Sequence, residues 1–117
     1  MTTHDRNENE LAAELLEALY SRTPVQPFSE RYPEITQESA YSIQLAATEI
    51  RIRSGCHVIG AKVGYTSHAT QAQFGVDEPV FGLLLNEGVH REGGDVPYDR
   101  MISPKIEPEI AFVLKQD

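Results

Sequence analysis

Glu107 and Glu109 stand two positions apart in the run Lys105-Ile106-Glu107-Pro108-Glu109-Ile110-Ala111-Phe112-Val113-Leu114. Two carboxylates at that spacing can share one hard divalent cation if the backbone presents both on one side. The flanking pattern predicts that it does. Ile106, Pro108, Ile110, Phe112 and Leu114 share one parity, while Lys105, Glu107 and Glu109 share the other. A period of two is the mark of a β-strand. In a strand the two acids project from one face with Cα atoms roughly 7 Å apart; in a helix they would diverge by about 200°. Carboxylate oxygens favour Mg2+ or Mn2+ over zinc, which more often takes His and Cys. Two side chains do not complete such a site, so a further acid is needed, with waters or substrate oxygens. The competing reading is a solvated acidic sheet face. Pro108 has no N–H and belongs at an edge, a strand start or a bulge, and bulges recur beside active sites.

The second chemical candidate is Gly60-Ala61-Lys62-Val63-Gly64-Tyr65-Thr66-Ser67. Glycines on both sides of Lys62 let a ligand approach the backbone, and the ammonium is a mobile cation for a carboxylate. The spacing is neither a Walker A loop nor a dinucleotide fingerprint. A surface lysine on a strand is the plainer alternative. His4, His57, His68 and His90 show no metal-ligand spacing, although His68 lies close to the Gly-Lys segment in sequence. Cys56 and His57 are adjacent, and neighbours in a strand point to opposite faces, so they form no nucleophile pair. Tyr41 and Tyr65 read as packing residues that could also reach a cavity.

These candidates must be positioned by a single modest domain, because 117 residues suffice for one real core. With 40% hydrophobic and 24% charged residues, the composition is globular. The formal net charge of −8 and the lack of a basic stripe argue against a nucleic-acid partner. One cysteine excludes an intrachain disulfide and fits a reducing compartment. No apolar run reaches membrane-span length, and the N-terminus lacks the pattern of a secretory signal, so a cytoplasmic location with no membrane partner is expected.

Residues 1 to 7 are polar and read as frayed. Leu11, Leu15 and Leu19, joined by Ala12, Leu16 and Ala18, fall at helical spacing from residue 8 to about 21, with Asp5 or Asn7 as cap. Pro24, Pro27 and Pro33 mark an irregular connection. Thr36 caps a second helix to about residue 54, whose apolar face is Ala40, Ile43, Ala47 and Ile50 and whose stop is Gly55. Val58 and Ile59 begin a strand through Gly64. Thr66 or Ser67 caps a short helix ending at Gly75, and residues 81 to 85 form another strand. Gly88, Gly93 and Gly94 mark turns. Helices first and strands after them predict an α+β chain.

Four segments together resemble the 2-keto-4-pentenoate hydratase and 2-oxo-3-hexenedioate decarboxylase group of the fumarylacetoacetate hydrolase superfamily. They are Glu38-Ser39-Ala40-Tyr41-Ser42-Ile43-Gln44, Ile59 to Ser67, Gln73-Phe74-Gly75-Val76-Asp77-Glu78-Pro79-Val80-Phe81-Gly82, and Ile102 to Phe112. Their order and spacing cover most of the chain beyond residue 35. The resemblance implies Glu107 and Glu109 as the first two metal-binding glutamates, with Mg2+ or Mn2+ as cofactor, and Lys62 as the catalytic lysine beside metal and substrate. It further implies a small helical α/β part, residues 1–57, followed at residues 58–117 by the first strands of a mixed β-roll. Relatives are more than twice this length, so an N-terminal fragment is expected, with the third acidic ligand beyond Asp117, an incomplete active site and unpaired strand edges.

The implied reaction is hydration of 2-hydroxypenta-2,4-dienoate to 4-hydroxy-2-oxopentanoate in aromatic meta-cleavage catabolism. The metal would act as Lewis acid on the 2-oxo acid, the far carbon would be protonated, and water would add at C4. Lys62 would neutralise the substrate carboxylate or move a proton. Decarboxylation of 2-oxo-3-hexenedioate (4-oxalocrotonate) uses the same electron sink and is the alternative. A non-catalytic fragment and a carbon–carbon hydrolase are further readings, the last lacking a persuasive water-activating dyad. The partner is a small 2-oxo or 2-hydroxy dienoic acid, and a homo-oligomer is expected at full length.

Overall fold

The computed structural model describes residues 7–116, so His4, Asp5, most of the polar opening and Asp117 lie outside the described residues. Helix α1 spans Glu8–Ser21 and is capped by Asn7, whose side chain accepts from the Asn9 N–H at 3.2 Å. Glu8 and Glu10 lie in its first turn, where negative charge suits the helix dipole. A short helix α2, Phe28–Arg31, interrupts the connection that the prolines predict to be irregular. Pro27 immediately precedes it, where its missing N–H costs no helical bond. Arg31 Nη2 reaches back to Glu14 at 3.1 Å, tying α2 to α1.

Helix α3, Gln37–Arg53, starts where Thr36 Oγ1 accepts from the Ser39 N–H at 3.1 Å. Gly55 follows its end with φ of 106°, a conformation that side-chain-bearing residues rarely adopt. Helices α1 and α3 pack together around Leu11, Ala12 and Ile43, and Phe28, Tyr32, Ile35, Ala46, Ala47 and Ile50 close over them. The buried arc of α1 is narrower than its heptad-like spacing suggests. Leu11, Ala12, Leu16 and Ala18 are buried, whereas Leu15 and Leu19 sit at the exposed margin.

Strands β1, Val58–Gly64, and β2, Val80–Leu85, form a two-stranded antiparallel sheet. Val58 pairs with Leu85 and Gly60 with Leu84, so Ile59 is an extra residue that bulges β1. Beyond the bulge, Lys62 faces Gly82 and Gly64 faces Val80. Helix α4, His68–Phe74, lies in the connection; Ser67 caps it, and left-handed Gly75 ends it at φ 68°.

A row of polar side chains on α3 fastens the sheet to the helices. Positions 37, 41, 44 and 51 fall on one helical stripe. Gln37 Nε2 donates to Glu78 Oε1 at 2.7 Å. Tyr41 Oη accepts from the Phe81 N–H at 3.3 Å, Gln44 Nε2 donates to the Phe81 carbonyl at 3.4 Å, and the Tyr41 and Phe81 rings stack at 4.7 Å. Both main-chain groups of Phe81 are therefore occupied by α3 rather than by a third strand. Among the described residues, the outer edge of β1 has no such partner.

Arg51 Nε donates to Glu87 Oε1 at 2.6 Å, which holds the Glu87 carboxyl below its ordinary pKa. A depressed carboxylate pKa contributes stability that is fully present above the unfolded value, about 4.5, and is lost as pH falls through the folded value. Glu87→Gln is accordingly expected to lower the melting temperature at pH 7 and to converge on the parent chain in acid, once pH has fallen through the lowered Glu87 pKa. Because the pair is partly solvated, the difference at pH 7 is at most about 1 kcal/mol. Thermal melts across this pH range check it; a gap that persists in acid would rule out the ion pair as its source.

The strand expected over residues 105–114 is not formed. Residues 102–116 carry no helix or strand, and no described backbone–backbone hydrogen bond involves a residue beyond Met101. Its apolar phase, instead of anchoring a core, is open to solvent, with Ile106 96%, Ile110 86% and Phe112 87% exposed. An alternating pattern becomes a strand only when a neighbour supplies the ladder, and none of the described residues does so. The chain is thus mixed helix and strand, as the α+β expectation has it, with a sheet of two strands. No helix among the described residues is long and apolar enough to cross a membrane.

Candidate functional site

Lys62 sits in the middle of β1, and the pairing gives it an unusual floor. Gly60 and Gly64 flank it on the same face of its own strand, and Gly82 lies directly opposite on β2. Three neighbours without side chains leave a trench, and next to Gly64 and Gly82 it opens into a cavity of about 290 Å³ bounded by Lys62, Gly64 and residues 80–84. A Cβ on Gly64 would press on Val80 at 3.3 Å, and one on Gly82 would meet the Gln44 amide at 3.8 Å. The Gly-x-Lys-x-Gly spacing points to the first two glycines. Gly82 depends on cross-strand register and has no local signal.

The end of β1 is held by Tyr65, which packs as its sequence reading expects, and by Gln71, which that reading passed over. Tyr65 adopts a positive φ of 54°, unfavourable for a residue with a large side chain. Its ring stacks on Phe74 at 4.9 Å, and its carbonyl accepts from the buried Gln71 amide at 2.8 Å. Gln71 thus ties α4 to the turn that closes the Lys62 strand.

Glu107 and Glu109 reach Lys62 from residues that form no strand. Lys62 Nζ donates to Glu109 Oε1 at 2.9 Å and lies 3.6 Å from Glu107 Oε2. All three side chains are partly exposed. The Glu109 hydrogen bond raises the Lys62 pKa; partial burial opposes it, and the charges of both acids add to the rise. Held between two carboxylates at the strand surface, the Lys62 head is placed to bind an anion.

The other candidates take different places. Tyr41 packs on Phe81, and His68 opens α4. Burial, and then the Glu87 carboxylate beside it, push the Cys56 thiol up, away from a reactive thiolate. Among the described residues, no group of three or more His, Cys, Asp or Glu side chains converges as a metal cage. The donor set of Glu107 and Glu109 fits a hard divalent cation in kind, because both acids already converge on a positive charge. In number it leaves several coordination positions to other oxygens.

No protein-family profile matches the chain. Its fold is similar to that of 4-oxalocrotonate decarboxylase from Pseudomonas putida G7, solved with calcium and acetate. The TM-score is 0.66 at 29% identity, over 68% of this chain and 31% of that one. The same enzyme solved with magnesium and adipate also matches at a TM-score of 0.66. By sequence, the chain is 43% identical to a 2-hydroxypent-2,4-dienoate hydratase of Pseudomonas putida, over 93% of this chain and 50% of that protein. It is 38% identical over its whole length to a 2-keto-4-pentenoate hydratase of Paraburkholderia xenovorans (strain LB400), covering 43% of it. A 2-oxo-hept-4-ene-1,7-dioate hydratase of Escherichia coli matches at 40% over 94% of this chain and 42% of that protein.

By sequence and fold, then, the chain is a relative of the group that unites these hydratases with the decarboxylase. Its reported sequence relatives are hydratases, among them 2-keto-4-pentenoate hydratases and a 2-oxo-hept-4-ene-1,7-dioate hydratase. The chain spans half the length, or less, of the curated relatives it matches.

Proposed function

We propose that the protein is a divalent-metal-dependent hydro-lyase that adds water to 2-hydroxypenta-2,4-dienoate, giving 4-hydroxy-2-oxopentanoate in aromatic catabolism. The observation that carries this reading is the convergence of Glu107 and Glu109 on Lys62 above a glycine floor, in a chain 43% identical to a dienoate hydratase. Glu107 and Glu109 would hold Mg2+ or Mn2+, completed by further oxygens. When bound, the cation supplies Lewis-acid polarisation of the 2-oxo acid. Lys62 binds the substrate carboxylate as an ammonium. The trench between Gly60, Gly64 and Gly82 admits the planar diene chain close to the backbone. In this reading residues 58–117 contribute to a mixed β-roll, the whole protein is a cytoplasmic homo-oligomer, and the substrate is a small 2-oxo or 2-hydroxy dienoic acid.

Decarboxylation of 4-oxalocrotonate is the second reading, favoured by the fold match to that decarboxylase. Both follow from one carboxylate-and-lysine arrangement, so substrate decides between them. With Mg2+ present, the hydratase reading expects loss of the dienoate chromophore on 2-hydroxypenta-2,4-dienoate and no CO2 release from 2-oxo-3-hexenedioate. The reverse outcome assigns the decarboxylase. Turnover of neither, by the full-length protein with the ion bound, would overturn both.

A further inference from the structure

Lys62 does more in this structure than await a substrate. Its ammonium lies 2.9 Å from Glu109 and 3.6 Å from Glu107, and so takes the place between two carboxylates that a shared cation would take. We propose that Lys62 is a built-in counter-cation, and that occupancy of the carboxylate pair by a divalent ion and release of the Lys62 ammonium are one exchange. The inference rests on the metal reading above and deepens it by giving the site an order of events.

The argument is electrostatic and geometric. Two like-charged carboxylates drawn to one point repel unless a positive charge sits between them, and Lys62 is the cation found there. Its tether is an unbranched chain, and the same-face positions on either side of it along β1 are glycines, which present no side chain to obstruct the head. The pairs are solvated rather than buried, which keeps each contact weak and the exchange readily reversible. Once Glu109 turns to a divalent ion, Lys62 loses its 2.9 Å partner and its charge is free for an incoming carboxylate. Binding of the ion therefore promotes binding of a 2-oxo carboxylate, and by reciprocity the carboxylate, by holding Lys62 away, tightens the ion.

Two measurements on the 117-residue chain test this, neither depending on turnover. Titration of Mn2+ into the parent chain, Lys62→Met and Lys62→Gln is followed by calorimetry. Removal of the competing cation is expected to tighten Mn2+ binding by roughly threefold to tenfold, the range of one or two solvated ion pairs. In parallel, the Lys62 side-chain NMR signals are expected to move on addition of Mg2+ toward their positions in a Glu107→Gln, Glu109→Gln double variant. Unchanged or weaker Mn2+ binding in both lysine variants, with a Lys62 signal indifferent to Mg2+, would overturn the exchange while leaving the metal site standing. Failure of the metal reading looks different: Mn2+ affinity would then be the same in the parent chain and in the double glutamate variant, and that result removes the exchange with it. Circular dichroism confirms that each variant is folded.

Discussion

Glu109→Ala is expected to lose divalent-ion binding and, with it, the proposed dienoate turnover. A partner that merely orients a metal ligand is worth about 10- to 100-fold in affinity, and a direct ligand lies at or above the top of that range. Glu109 is also the closer partner of Lys62, at 2.9 Å, so its loss removes both a ligand oxygen and the residue that directs the ammonium. Glu107→Ala should show the same loss of ion binding but a smaller effect on Lys62, whose separation from it is 3.6 Å. Calorimetric titration with Mn2+, read beside turnover in Mg2+, checks this, with Glu87→Gln as an acidic control remote in sequence and paired to Arg51. If Glu109→Ala bound Mn2+ as the parent chain does, the metal assignment of this residue would be wrong.

The second large effect concerns the scaffold. Ile43 is 2% exposed at the centre of the contact between α1 and α3, where Leu11 and Ala12 complete a small buried cluster. Truncating a buried Ile to Ala costs about 2–5 kcal/mol, whereas Ile to Val costs about 0.5–1.5 kcal/mol. Against a total stability of roughly 5–15 kcal/mol, Ile43→Ala is expected to remove a large part of the folding free energy. At ~4–8 °C per kcal/mol for a small domain, the melting temperature should fall by at least ~8 °C. Ile110→Ala, at a side chain 86% exposed, should leave it unchanged. Equal melting temperatures for Ile43→Ala and Ile43→Val would show that the helix pair is not the core that holds this fold.

Much of the scaffold was legible because its signals are local. Thr36, Ser67 and Gly75 each satisfy or reverse a helix end through their own side chain or backbone, and all three act where their residue types predict. Strands β1 and β2 were legible in the same way, from apolar runs beside glycines. Non-local features were not. Gln37, Gln44 and Arg51 lie off the apolar face expected for α3, yet they grip the sheet and the turn after it. Gly82 joins the floor beneath Lys62 only through register. The alternation over residues 105–114 describes what those residues would do beside a partner strand. It put both acids on one side, and both do face Lys62, but the ladder that would make a strand of them is absent among the described residues.

The helix-bound edge of β2 gives the little sheet a direction. Phe81 has given its N–H and its carbonyl to Tyr41 and Gln44, so the hairpin cannot be widened on that side without prising α3 away. Any strand that enlarges the sheet must be laid along β1, shoulder to shoulder with Gly60, Lys62 and Gly64. A strand laid there would form a wall of the trench in which Lys62 stands.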